Sequence, residues 1–207
     1  MQNAKPQLKR TLISETVNCI NKVVLIKGWV RIRRDHGKLI FLDVRDRSGV
    51  AQVVVNPKVS EKAYAVGQDL KPEFVVEILG KVNKRPEGTI NKDLSTGKVE
   101  IEATEITILS KSETLPFDMG GEDLHLELPT LLDHRGLTLR HPKIKAIFEV
   151  QETVIDAFRK VCKEKGFIEF QSPVIIPQGA EGGSDVFEIQ YFDHKAYLSQ
   201  SPQFYKQ

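Results

Sequence analysis

Only two cysteines occur in the 207 residues, Cys19 and Cys162, and they stand far apart with no metal-ligand spacing. Free thiols in a reducing cytosol are the expected state. No apolar run reaches the roughly 20 residues that a membrane-spanning helix needs, so no membrane partner is expected. The opening MQNAKPQLKR has positive charge but no apolar stretch behind it, so no secretory signal is expected. These absences point to a cytoplasmic protein. Neither sign of charge dominates: 30 Lys and Arg face 28 Asp and Glu, for a net charge of +2. That balance neither requires nor forbids a nucleic-acid partner, so local clustering must decide. Internal repeats and low-complexity tracts are missing as well.

What remains is ordinary for a globular chain, with 40% hydrophobic and 28% charged residues, enough for one large domain or two small ones. Residues 1–20 read as a lead-in. From Asn21 the pattern turns to period two. In "VVLIKGWVRIRR", Val24, Ile26, Val30 and Ile32 share one face, and Lys27, Trp29, Arg31 and Arg33 share the other. "KLIFLDVRD" repeats the alternation, "DRSG" signals a hairpin, and "VAQVVV" follows as a third strand. A weakly helical stretch over 58–70 separates it from "EFVVEILGKV", and a turn over 91–97 leads to "KVEIEATEITIL". Five strands with a helical insert between the third and fourth form the pattern of an OB-fold, a small Greek-key β-barrel; another small barrel or sandwich is the alternative.

Pro116, Gly120, Gly121 and Pro129 mark 111–136 as a hinge or linker. Pro142 then suits the first turn of a helix whose apolar residues, from Ile144 to Cys162, recur at helical spacing and which Gly166 closes. "FIEFQSPVII" reads as a strand broken at Pro173. "GAEGGSD" is a flexible loop, and "VFEIQYF" with "KAYLSQ" forms a hairpin. The second region is thus a helix plus antiparallel strands, an α+β arrangement.

Three constellations could carry chemistry. Phe41 falls on the polar face of its strand beside Asp43 and Arg45, where an aromatic can stack on an unpaired base. Arg31, Arg33, Arg34 and Lys38 crowd the first turn, and Lys84 and Arg85 could join them in a funnel for phosphates. Packing under a loop and a solvated charged edge explain the same residues without any ligand. Gln52 offers a donor and an acceptor to a base edge, and Glu100 offers acceptors; both also fit ordinary outward positions. At the chain end, Ser201 as N-cap and Pro202 at N1 would start a helix that carries Gln203 and Lys206 on one face. That pair, with Glu181 from the Gly-rich loop, suits a small zwitterion bearing an extra carboxylate. A capped surface helix with a solvated lysine is the simpler alternative.

Together these segments resemble the aspartyl-tRNA synthetases of class IIb over nearly the whole chain after residue 20. "GWVRIRRDHGKLIFLDVRDRSGVAQVVV" resembles their anticodon-binding OB domain. "EVQETVIDAFRKVCKEKGFIEFQSPVII" resembles class II motif 1, and "AEGGSDVFEIQYFDHKAYLSQSPQFYKQ" resembles the mobile loop and amino-acid pocket. The resemblance implies an OB-fold anticodon-binding domain over 21–110, a hinge over 111–136, and the N-terminal part of a class II catalytic domain over 137–207. It implies tRNA-binding roles for Arg34, His36, Phe41, Gln52, Arg85, Gly88 and Glu100. It implies aspartate-binding roles for Glu181, Ser201, Gln203 and Lys206, and a motif 1 homodimer interface at Pro173.

Lys206 favours aspartate over asparagine, because a carboxylate rewards an ammonium and an amide does not. An asparagine–tRNA ligase is the less favoured enzyme, and a stand-alone OB-fold RNA-binding protein is the reading from another class. His36 and Gly88 resemble the relaxed type that charges tRNA-Asn as well as tRNA-Asp. The family activates L-aspartate with ATP and Mg2+ and transfers it to tRNA. Motifs 2 and 3 are absent, so the expectation is a fragment that makes no adenylate alone, holds no catalytic residue and holds no metal ligand. An apolar stripe on the motif 1 helix should then be partly exposed and prone to aggregation.

Overall fold

The structure, a computed structural model, describes residues 8–177 and 186–206. The chain divides into two compact units, Met1–His141 and Pro142–Gln207.

In the first unit, alternation closes into a barrel. Strands β1 (Val23–His36), β2 (Leu39–Asp46), β3 (Gly49–Val55), β4 (Val75–Lys84) and β5 (Val99–Ser110) join in the order β1-β2-β3-β5-β4. Strand β1 pairs with both β2 and β4, and the β3–β5 pairing is parallel. This is the five-stranded OB barrel. Inward residues such as Ile26, Val30, Leu42, Val44, Val53, Ile78 and Ile101 are fully buried. Helix α1 (Glu61–Asp69), capped by the Ser60 hydroxyl accepting from the Ala63 amide, packs Ala63 and Gly67 against the barrel. Gly28 is needed where β1 crosses β2, since a Cβ there would lie 2.3 Å from the Arg45 carbonyl oxygen.

One side chain departs from the expected face. A β-bulge between Val30 and Ile32 adds a residue to β1, so Ile32 pairs with Asp43 and Arg34 with Phe41. Shifting a strand by one residue reverses its faces. Ile32, expected in the core beside Val30, therefore joins the outer face, and its side chain would be only 3.3 Å from a Cβ added at Gly120.

The described part of the lead-in, from residue 8, and the hinge both pack onto the barrel. A 3-10 turn at Ile13–Asn18 buries Ile13 in the core. Asp46, fully buried, holds this turn: Oδ2 accepts from the Ile13 amide, Oδ1 accepts from the Ser48 amide and hydroxyl, and Arg10 lies 3.5 Å away. Burial alone would raise its pKa, but the Ser48 and Ile13 hydrogen bonds and Arg10 together hold it below the ordinary value. Within residues 111–141, Met119, Leu124, Thr138 and His141 are buried. Short helices α2 (Leu128–Asp133) and α3 (Arg135–Thr138) lie here.

Arg140 reaches back to Glu73. The Glu73 carboxylate accepts two hydrogen bonds from Arg45, at 2.7 and 2.8 Å, and one from Arg140 at 2.6 Å. Both guanidinium groups lie near the Trp29 ring, at 5.5 and 5.9 Å from its centroid. Burial works to raise the Glu73 pKa, yet Arg45 and then Arg140 carry it below the ordinary value. Glu73 has a left-handed backbone, φ 66°, which costs a residue with a Cβ about 1 kcal/mol. Three charge-assisted hydrogen bonds outweigh that strain.

In the second unit, helix α4 (Pro142–Glu164) ends before Gly166, whose φ of +83° makes it the left-handed C′ residue. Strands β6 (Ile175–Ile176), β7 (Glu188–Tyr191) and β8 (His194–Leu198) form a sheet in the order β6-β8-β7, with β7 and β8 as the expected hairpin. The strand expected across 167–176 shrinks to Ile175–Ile176, after Pro173. Proline donates no backbone hydrogen bond, so pairing begins only beyond it. No residue of α4 is buried.

Candidate nucleic-acid interface

Strand β2 turns Phe41, Asp43 and Arg45 outward while Ile40, Leu42 and Val44 point in. Phe41 is half-buried. Arg34 lies directly across from it on β1, and the His36 ring meets it edge-on at 6.5 Å and 68°. Arg34 donates to Asp43 at 2.8 Å.

The next strand continues the row. Asp43 pairs across β2–β3 with Gln52, whose side-chain amide donates to Glu100 on β5 at 3.1 Å. Glu100 in turn lies 3.5 Å from the Arg85 Nε. The outer face therefore carries an aromatic platform beside a row of donors and acceptors, Arg34, Asp43, Gln52 and Glu100, with Arg85 behind Glu100. A flat base stacked on Phe41 would present its edge to that row, where Gln52 and Glu100 can match donors and acceptors.

Arg85 sits differently from the open cationic funnel expected. It is 6% exposed, and its Nη1 donates to the Gly97 carbonyl, so it acts behind Glu100. Arg33 is likewise turned to Asp35, at 2.9 Å. Gly88 is exposed in a 3-10 turn, Glu87–Thr89. A Cβ there would meet nothing within 4 Å, so the fold itself does not demand glycine.

The other expected site is reached only in part. Glu181 lies outside the described residues. Ser201 makes no side-chain cap. Pro202, not Ser201, takes the N-cap position of a short 3-10 turn, Gln203–Tyr205. In a 3-10 turn, residues three apart eclipse, so Gln203 and Lys206 keep one face. Lys206 lines a cleft of about 520 Å³ with Ile155, Phe158, Phe167 and Phe170; Ser201 and Gln203 are not among its lining residues. Pro173 is exposed. Among the described residues no group of three or more His, Cys, Asp or Glu could hold a metal ion, and no helix is long and apolar enough to cross a membrane.

Sequence reasoning missed Asp43 as a member of the row, and missed Glu73 and Asp46 altogether. Asp43 had a signal, its outward place between Phe41 and Arg45. The other two depend on partners distant in sequence.

Residues 24–109 match the family model of the OB-fold nucleic acid binding domain, and residues 127–207 match that of tRNA synthetases class II (D, K and N). The chain is 39% identical to the aspartate--tRNA(Asp/Asn) ligase of Halothermothrix orenii, over 97% of this chain and 34% of the relative. It is 38% identical to the aspartate--tRNA ligase of Staphylococcus haemolyticus, over 93% of this chain and 33% of the relative. This chain belongs to the aspartyl-tRNA synthetase family.

Solved structures agree with the sequence relatives of this synthetase chain. A putative aspartyl-tRNA synthetase from Leishmania major matches with a TM-score of 0.81 and 28% identity, over 100% of this chain and 42% of that one. The asparaginyl-tRNA synthetase from Pyrococcus horikoshii complexed with asparaginyl-adenylate matches with a TM-score of 0.79 and 31% identity, over 96% and 44%. The chain spans about a third of the length of the curated relatives it matches.

Proposed function

We propose that the protein to which this chain belongs is an aspartate–tRNA ligase, and that residues 21–110 bind the anticodon of tRNA-Asp. The observation that carries the anticodon reading is the outward Phe41 beside the Gln52–Glu100 hydrogen bond, on one face of an OB barrel. Phe41 stacks a base, Gln52 and Glu100 read base edges, and Arg34 and Arg85 support them. The synthetase module over 127–207 counts against a stand-alone RNA-binding protein. The curated relatives at 38–39% identity are aspartate--tRNA ligases, which supports aspartate over asparagine as substrate.

In this reading, Glu181, Ser201, Gln203 and Lys206 bind L-aspartate in the cytoplasm-located enzyme, residues 111–136 link the modules, and Pro173 lies at a homodimer interface. ATP with Mg2+ supplies the activation chemistry in the family. The described residues contain no carboxylate cluster able to hold Mg2+, and the cleft at Lys206 is walled mainly by apolar side chains, so no step through either is assigned to this chain. His36 at the rim of Phe41 and the sterically unforced Gly88 support charging of tRNA-Asn as well.

Binding of this chain to an RNA stem-loop with a GUC anticodon tests the reading. Phe41→Ala should weaken binding by about 1–3 kcal/mol, the usual worth of one base stack. Unchanged affinity, with the barrel still folded by circular dichroism, would refute it.

A further inference from the structure

Both arginines on the proposed anticodon face already have carboxylate neighbours. Arg34 is bound to Asp43 at 2.8 Å, and Arg85 lies 3.5 Å from Glu100. The two pairs are not equivalent. Arg85 is buried and also held by the Gly97 carbonyl, so it is a fixed support. Arg34 is more than half exposed, whereas Asp43 is only 15% exposed at its side chain. Asp43 is thus the anchored partner and Arg34 the movable one.

We propose that Asp43 is a specificity-determining residue: its carboxylate neutralises Arg34 beside Phe41 and so keeps this face from binding RNA through phosphate charge alone. The proposal rests on the anticodon reading and names how that same face discriminates. A free arginine at the rim of a stacking platform would attract any single strand, because phosphate contacts carry no sequence information. With Asp43 in place, an incoming phosphate must displace a carboxylate that is already well placed, so charge contributes little net affinity. Stacking on Phe41 and the base-edge contacts of Gln52 and Glu100 then dominate, and those depend on the base. A repulsive element aimed at wrong partners is a recognised route to specificity. Asp43 is suited to the task by register: its partner across β1–β2 is Ile32, moved outward by the bulge, and its partner across β2–β3 is Gln52. The bulge that reversed Ile32 is also what brings Arg34 to the same face.

The test uses Asp43→Asn, which keeps the shape and one acceptor for Arg34 but removes the charge. Affinity of the whole chain is measured against salt for the GUC stem-loop and for one with a scrambled loop. The expected result is several-fold tighter binding of the scrambled loop, a slope of log affinity on log salt steeper by about 0.7, the value of one added phosphate contact on a single strand, and a narrower GUC-to-scrambled ratio. In an Arg34→Ala background the same substitution should not steepen the slope, because no arginine is released to make the added contact; relief of the bare carboxylate's repulsion raises affinity for both loops alike. An unchanged slope, weaker binding of the scrambled loop, or the same steepening in the Arg34→Ala background would each overturn the proposal. Asp43→Ser, smaller and also uncharged, carries the same expectation and keeps the proposal testable if Asp43→Asn does not fold; a slope equal to that of the parent chain would overturn it. Phe41→Ala separates the two readings, since its failure to weaken GUC binding removes the anticodon assignment while the salt slopes still report on Asp43.

Discussion

The barrel strands and helix α4 carry comparably clear apolar periodicity, yet they end in opposite states. Alternate residues of β2, from Ile40 to Val44, are essentially inaccessible to water. The stripe of α4 is open: Ile147, Val150, Val154, Ile155, Phe158 and Val161 are all exposed. A closed barrel supplies both walls of its own core, because each strand's inner face meets the others across the axis. One helix beside a small sheet cannot do so. An apolar period shows which face seeks cover; it does not show that the cover lies in the same chain.

The largest effect that would sharpen this contrast is a truncation in the barrel. Leu42→Ala should lower stability by about 2–5 kcal/mol through lost burial and a residual cavity. Val154→Ala on the open face of α4 should change it by less than about 0.5 kcal/mol. Thermal unfolding of the two variants checks the pair, and equal losses would break the contrast.

Glu73→Gln should come next, costing about 1.5–3 kcal/mol, because it weakens charge-assisted hydrogen bonds to two arginines at a nearly buried site. Trp29 is the single tryptophan, and both arginines lie near its ring, so its fluorescence should change with this substitution. A silent Trp29 in a destabilised variant would show that the Arg45–Glu73–Arg140 group does not hold together in solution.

Acid should act on the first unit through the same carboxylates. Asp46 and Glu73 have folded pKa values below their ordinary 3.8 and 4.5. Their contribution is therefore complete above those ordinary values and is lost as pH falls through the lower folded ones. Melting temperature followed from pH 6 downward should drop below about pH 4.5, and Asp46→Asn combined with Glu73→Gln should flatten that drop. The smallest stability effect belongs to Phe158→Glu on α4, which should leave the melt nearly unchanged but reduce self-association in sedimentation. Persistent self-association would place the sticky surface elsewhere.

The strands and α4 were legible because period two and period 3.6 are local signals, written in neighbours a few positions apart. The aromatic platform was legible for the same reason: Phe41 breaks the polar face of its own strand. The bulge in β1 was not, since an extra residue changes the face of Ile32 without changing any local preference. Nor was the place of Arg85, whose side chain turns inward to the Gly97 carbonyl.

Composition and periodicity were enough to specify a small barrel followed by an amphipathic helix, and to mark Phe41, Gln52 and Glu100 as outward residues. Folding alone joined Arg34 to Asp43, Gln52 to Glu100 across 48 positions, and Arg140 to Glu73 across 67. The reason is range. A strand's facing pattern depends on chain stereochemistry, which every residue carries with it. A hydrogen bond between side chains depends on register and closure, which exist only once distant strands have met.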